Sequence, residues 1–253
     1  MALIIICIGF MICYSQNIFT LASTGNKNVY GESQSNNESN IKNSDSELLF
    51  NFKLNKKDTV IILDAGHGGF DGGAGVNGTF EKDINLKIVL FLNEYLTHNG
   101  YKTVLTRKDD KALNDESTKE SSLRSKKVSD MKNRLNAMNI HKNSIFVSVH
   151  LNKYNASSVK GAQVFYSKNF KQSRILADNI QKSIVKNIQK NNKREIKKAN
   201  KNIYLLHNAT VPAVLVECGF LSNSEELALL KTEKYQKNMA FSVFCGIIEL
   251  MEK

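Results

Sequence analysis

Four segments of the chain end in residues that can do metal-assisted chemistry. His67 stands in Leu63-Asp64-Ala65-Gly66-His67-Gly68-Gly69, directly after an apolar run. Glu81 follows a second glycine-bearing stretch and opens a helical pattern, Glu81–His98. His150 closes Ser148-Val149-His150-Leu151-Asn152, and Glu217 closes Val214-Leu215-Val216-Glu217. Taken singly, each has an ordinary reading. Lone histidines are commonly structural or surface groups, and a carboxylate at a helix start is a favourable partner of the helix dipole. Glu217 resists that reading, because three large apolar residues precede it and a buried carboxylate without a partner is costly. Two imidazoles and one carboxylate form a catalytic zinc set that leaves a fourth tetrahedral position open, and the second carboxylate is then free to act as a base. The spacing is not that of the short His-Glu-x-x-His metalloprotease helix.

Residues so far apart can converge only if they leave the same edge of one sheet. Thr59–Leu63, Lys102–Thr106, Ile145–Val149, Ala162–Tyr166 and Val214–Val216 read as strands, with Ile203–Leu206 as a sixth. Helical periods lie between them: Ile84, Ile88, Phe91, Leu92 and Tyr95; Leu176, Ile180, Ile184 and Ile188; Tyr235, Met239, Val243 and Ile247. Asn99–Gly100 closes the first helix. This alternation predicts an α/β fold, a mostly parallel central sheet of about six strands flanked by helices in a single catalytic domain. Ligands of such sheets bind beyond the carboxyl ends of the strands. Asp109–Lys127 has no apolar period and reads as a long loop.

With 253 residues, 42% of them hydrophobic, the chain can bury a sizeable core, which excludes a wholly disordered protein. Four cysteines exclude a disulfide scaffold, and Cys218 and Cys245 read as buried thiols. Ala2–Tyr14 is apolar and uncharged but shorter than the roughly 18–20 residues of a membrane span. Residues 1–22 are therefore expected to be an export signal peptide or an N-terminal hydrophobic anchor. Residues 23–57 read as a disordered polar linker, and 58–253 as the folded domain. The formal charge is +11, and Lys186–Lys201 carries seven Lys or Arg residues. That run is either a solvated face or a patch for a polyanion or the acidic groups of a cell wall. Nucleic acid is not expected as a partner, since no binding module is recognisable.

At these residues the sequence resembles the zinc-dependent N-acetylmuramoyl-L-alanine amidases of the type-3 family. The resemblance is carried by IILDAGHGGFDGGAGVNGTFEKDINL (61–86), Arg134 and Asn139 in RLNAMN, SVHLN (148–152) and PAVLVECGFLSN (212–223). It implies one Zn2+ per chain held by His67, Glu81 and His150, with Glu217 as the catalytic carboxylate. Asp64, Ser148 and Asn152 are candidates to orient those ligands. The implied substrate is peptidoglycan, cut between N-acetylmuramic acid and L-alanine. The stretch VKGAQVFYS (159–167) and the short exported chain are similar to the sporulation and germination (CwlD) type, which implies spore cortex processing. A vegetative autolysin and a silent wall-binding regulator on the same fold are the rival readings. The second of these would predict a lost ligand, and none is lost. An extracytoplasmic location is implied, and an envelope-anchored activator protein is expected because no wall-binding repeats accompany the domain.

Overall fold

The computed structural model describes residues 54–252. The expected leader, 1–22, and the linker up to residue 53 lie outside the described residues. Leu54, expected in the linker, packs against the core, and Lys56 lies over the Tyr101 ring at 5.0 Å. Among the described residues no helix is long and apolar enough to cross a membrane.

The strands are β1 (Val60–Ala65), β2 (Gly75–Val76), β3 (Thr79–Phe80), β4 (Lys102–Leu105), β5 (Ser144–Asn152), β6 (Gln163–Tyr166), β7 (Lys197–Lys198) and β8 (Ala213–Phe220). The helices are α1 (Glu81–His98), α2 (Leu123–Ile140), α3 (Lys171–Asn187), α4 (Tyr204–His207), α5 (Ser224–Leu230) and α6 (Glu233–Met251). Six strands form one sheet in the order β4-β1-β5-β8-β6-β7. Its pairings are parallel except that β6 runs antiparallel to β8.

The central strands are apolar on both faces because helices cover both. Ile61, Leu63, Ile145, Val147, Val149, Val214, Val216 and Cys218 pack with buried residues of α1, α3 and α6. The alternate residues Ile62, Phe146, Ala213 and Leu215 pack with Met138 of α2 and with Leu205 and Leu206 of α4. Strand alternation thus sorts one sequence into two cores. It also places Asp64, Ser148, His150 and Glu217 on the α2 face, where Asp64 pairs in register with Ser148, and His150 with Glu217.

Two expected elements differ. Ile203–Leu206 is not a strand: Tyr204–His207 is the short helix α4, and its two adjacent leucines are both buried. A four-residue apolar run carries too little period to separate the two states. The sixth strand is instead β7, two lysines at the sheet edge, where charge discourages further pairing. Within the expected loop Asp109–Lys127, a single 3-10 turn covers Glu116–Thr118 and α2 begins at Leu123, with the Ser122 hydroxyl capping Ser125 N–H. The sequence pattern hides α2 because its buried residues are Ser129, Asp130, Arg134 and Met138, a mostly polar face.

Candidate metal centre

Three local devices deliver the four chemistry-bearing residues. His67 leaves β1 in the left-handed region, at φ 63°, followed by Gly68 and Gly69 at positive φ. Arg134 holds this turn from beneath, donating to His67 O at 2.7 Å and Ala65 O at 2.9 Å. Asn77-Gly78, both at positive φ, turn the β2–β3 hairpin. The hairpin places Glu81 as the first residue of α1, where its Oε2 accepts Ala74 N–H at 2.8 Å. His150 and Glu217 sit side by side on β5 and β8.

The four meet at one edge of the sheet. Glu81 Oε1 lies 2.9 Å from His150 Nδ1 and 3.3 Å from His67 Nε2. One ligand atom from each of His67, Glu81 and His150 can be chosen so that all lie within 4.8 Å of one another. Glu81 Oε1 also accepts Leu151 N–H at 3.0 Å. The backbone closes tightly around the rings: a Cβ on Gly66 would stand 2.2 Å from His150 Cε1, and one on Gly73 2.6 Å from Glu81 Oε2. Those two positions need glycine for this approach.

The charges are those of a cation site. Burial would raise the Glu81 carboxyl, but hydrogen bonds and charge from His150 and His67 hold it well below the usual carboxylate range. Burial would lower His67, yet its bonds to Asp71 and Glu81 push it up to about 9. Glu217 behaves oppositely: burial pushes it up to about 7, with repulsion from Glu81 opposing the attraction of His150. Its Oε2 is buried and has no hydrogen-bond partner among the described residues. Two imidazoles around an ionised carboxylate, next to an unpartnered buried carboxyl oxygen, are a donor set suited to a divalent ion of the zinc kind.

The residues expected to orient the ligands act less directly. Asp64 is wholly buried and accepts from Arg134 Nη1 at 2.6 Å, Ser148 Oγ at 2.6 Å and Thr106 Oγ1 at 2.8 Å. Asp64, itself held by Ser148 and Thr106, thus holds Arg134, which in turn holds the His67 turn. Asn152 contributes its backbone carbonyl, which accepts Leu221 N–H at 2.8 Å. Asn139 accepts from Thr210 Oγ1 at 2.5 Å. Besides Glu81, the carboxylate that touches a candidate ligand ring is Asp71, which the sequence reading missed: His67 Nδ1 donates to its Oδ2 at 2.8 Å, and Lys127 pairs with its Oδ1 at 3.0 Å. An acidic residue four places after a candidate ligand was the available signal. Arg107 was missed as well. It is buried and donates to Ala65 O at 2.9 Å, Gly66 O at 3.1 Å and Lys82 O at 2.8 Å, tying β1 to α1. Cys218 points into the opposite core, where burial pushes its thiol well up, and Cys245 is likewise free.

Residues 61–249 match the family described as N-acetylmuramoyl-L-alanine amidase. The chain belongs to that family. It is 36% identical over 206 residues to the germination-specific N-acetylmuramoyl-L-alanine amidase of Bacillus subtilis, covering 81% of this chain and 84% of that one. The solved CwlD amidase of Clostridioides difficile, in complex with the GerS lipoprotein, is 41% identical. It superposes with a TM-score of 0.74 over 77% of this chain and 98% of that one. A second Clostridium difficile amidase is 28% identical, with a TM-score of 0.66 over 77% and 97% of the two chains. This amidase therefore has a peptidoglycan substrate and shares its α/β fold with amidases of known structure.

Proposed function

We propose that this amidase works with one zinc ion held by His67, Glu81 and His150, and that Glu217 moves the protons of the reaction. The bond cleaved joins the lactyl group of N-acetylmuramic acid to L-alanine, and the biological setting is spore cortex processing for germination. The observation that carries this reading is the convergence of three ligand atoms within 4.8 Å of one another, beside a fourth residue paired in register with one of them.

When bound, zinc supplies Lewis acidity toward a water molecule and toward the scissile carbonyl. Glu217 takes a proton from the attacking water and returns it to the leaving L-alanine amine. Burial raises the Glu217 carboxyl above the usual carboxylate range, which favours its holding the proton between the two transfers. Asp71 occupies Nδ1 of His67, which leaves Nε2 facing inward. Arg134, neutralised by Asp64 and Asp130, fixes the turn that carries His67.

The cortex setting is supported by the germination-specific relative and the CwlD neighbour. The lipoprotein bound to that neighbour supports an envelope-anchored activator for this chain. In this reading residues 1–22 act as an export signal or anchor, a linker joins them to the catalytic domain, which includes Leu54 packed on its core, and the enzyme works outside the cytoplasm. Digestion of purified cortex and vegetative peptidoglycan, read by mass spectrometry, tests the proposal. Intact glycan and peptides with a free L-alanine amine are expected, with cortex cut faster. Cuts inside the peptide would overturn the bond assignment, and faster cutting of vegetative wall would overturn the cortex setting.

A further inference from the structure

A second groove lies away from the metal ligands, between α3 and residues 192–196, the segment that leads into edge strand β7. It encloses about 1030 Å³. Six cationic side chains line it: Lys171, Arg174, Lys182, Lys186, Lys193 and Arg194. Three carboxylates share the lining, Asp178, Glu195 and Glu249, and Asp178 is paired with Lys182 at 2.6 Å. The groove therefore has an excess of positive charge.

Two of its lining residues also hold buried N–H donors without an acceptor among the described residues, Asn179 Nδ2 and Arg194 Nε. Asn179 is only 5% exposed. Buried donors are nearly always paired, and an unpaired one calls for a specific explanation. Two unpaired donors in one basic groove are explained by a ligand that brings negative charge and acceptor oxygens.

Arg194 links this groove to the chemistry. Its Nη2 donates to Gln163 Oε1 at 2.9 Å, and its guanidinium lies over the Phe220 ring at 5.0 Å. Gln163 stands opposite Glu217 in the sheet register. From there β6 runs away from the catalytic edge to Tyr166, which lines the groove beside α3. Arg194 thus joins the lining of the groove to the strand beside Glu217, while the groove itself lies beside α3, on the sheet face opposite Glu217.

We propose that this groove is a polymer subsite that holds carboxylates of the peptide stems on the peptidoglycan strand being cleaved. The identity of the polymer rests on the amidase reading above; the anion preference rests on the groove itself. Phosphate-bearing wall polymers offer the same oxygen chemistry and are the competing source.

The test compares the full-length metal-loaded enzyme with a variant carrying Lys171→Gln, Arg174→Gln and Lys193→Gln. None of the three touches the metal centre. Substrates are wall that keeps its phosphate polymers, peptidoglycan freed of them, the freed material with its stem carboxylates amidated, and a short muramoyl-L-alanyl fragment. Expected is a rise of about tenfold in KM on the unmodified polymer, from loss of several partly screened charge contacts, with kcat unchanged. Turnover of the short fragment should stay the same. Wild type should show a similar KM rise on the amidated polymer. Equal KM for wild type and variant, or an equal loss on the short fragment, overturns the proposal. So does retention by wild type only on wall that keeps its phosphate polymers. Co-sedimentation of both proteins with the two polymers reads the groove independently of cleavage. If wild type proves to cut elsewhere in the peptide, the amidase reading falls while carboxylate-dependent sedimentation still decides the groove.

Discussion

His67 adopts a backbone conformation, φ 63°, that costs a side-chain-bearing residue on the order of 1–3 kcal/mol and survives only where its surroundings enforce it. Arg134 below and the paired backbone of Gly68 and Asp71 are that enforcement. The same turn folds Asp71 back onto the His67 ring. Replacing Asp71 by Asn removes the negative oxygen that Nδ1 faces, and zinc affinity should fall about 10–100-fold. Competition with a chromophoric chelator measures it, and unchanged affinity would reduce Asp71 to a turn residue. The four central residues were legible in the sequence because glycine-rich turns and strand ends announce where side chains leave a sheet. Asp71 was not, because its contact depends on the positive φ of the intervening residues, which no periodicity encodes.

At the scale of elements, α2 joins a polar face to the sheet through one buried ion pair. Burial alone would raise the Asp64 carboxyl above its ordinary 3.8, but the Arg134 charge and the bonds from Ser148 and Thr106 hold it lower. A folded-state value below the unfolded one means the pair stabilises the fold above about pH 4 and is lost as acid protonates Asp64. Asp64→Asn leaves Arg134 buried with less compensation, and should lower stability at pH 7 by about 3 kcal/mol in urea unfolding. The variant should also lose less of its remaining stability on acidification. Parallel acid limbs for the two proteins would assign that limb to other carboxylates. Helices α1, α3 and α6 were legible because each shows an apolar period to the larger core. The polar inward face of α2 gave no such period, and the two leucines of α4 imitated a strand.

Across the whole molecule, the two-sided sheet aligns every ligand-bearing element at one edge and leaves the opposite side of β6 free for a basic groove. The parallel order was foreseeable from alternating strands and helices, whereas the edge strand β7 was hidden inside a run of lysines. An enzyme that binds an extended polymer through weak, separate contacts gains from being held near it. Activity of the purified enzyme on cortex should therefore rise severalfold when an envelope lipoprotein fraction is added. Comparable rates with and without that fraction would remove the case for an anchored activator.

The convergence of His67, Glu81, His150 and Glu217 is tested most directly by metal analysis of the purified enzyme and of its Glu217→Gln variant, measured beside peptidoglycan turnover. One zinc per chain is expected in both proteins, with turnover of the variant reduced by roughly 10²–10⁴-fold. A wild-type enzyme that is active without zinc, or a variant that retains near-full turnover, would contradict the assignment.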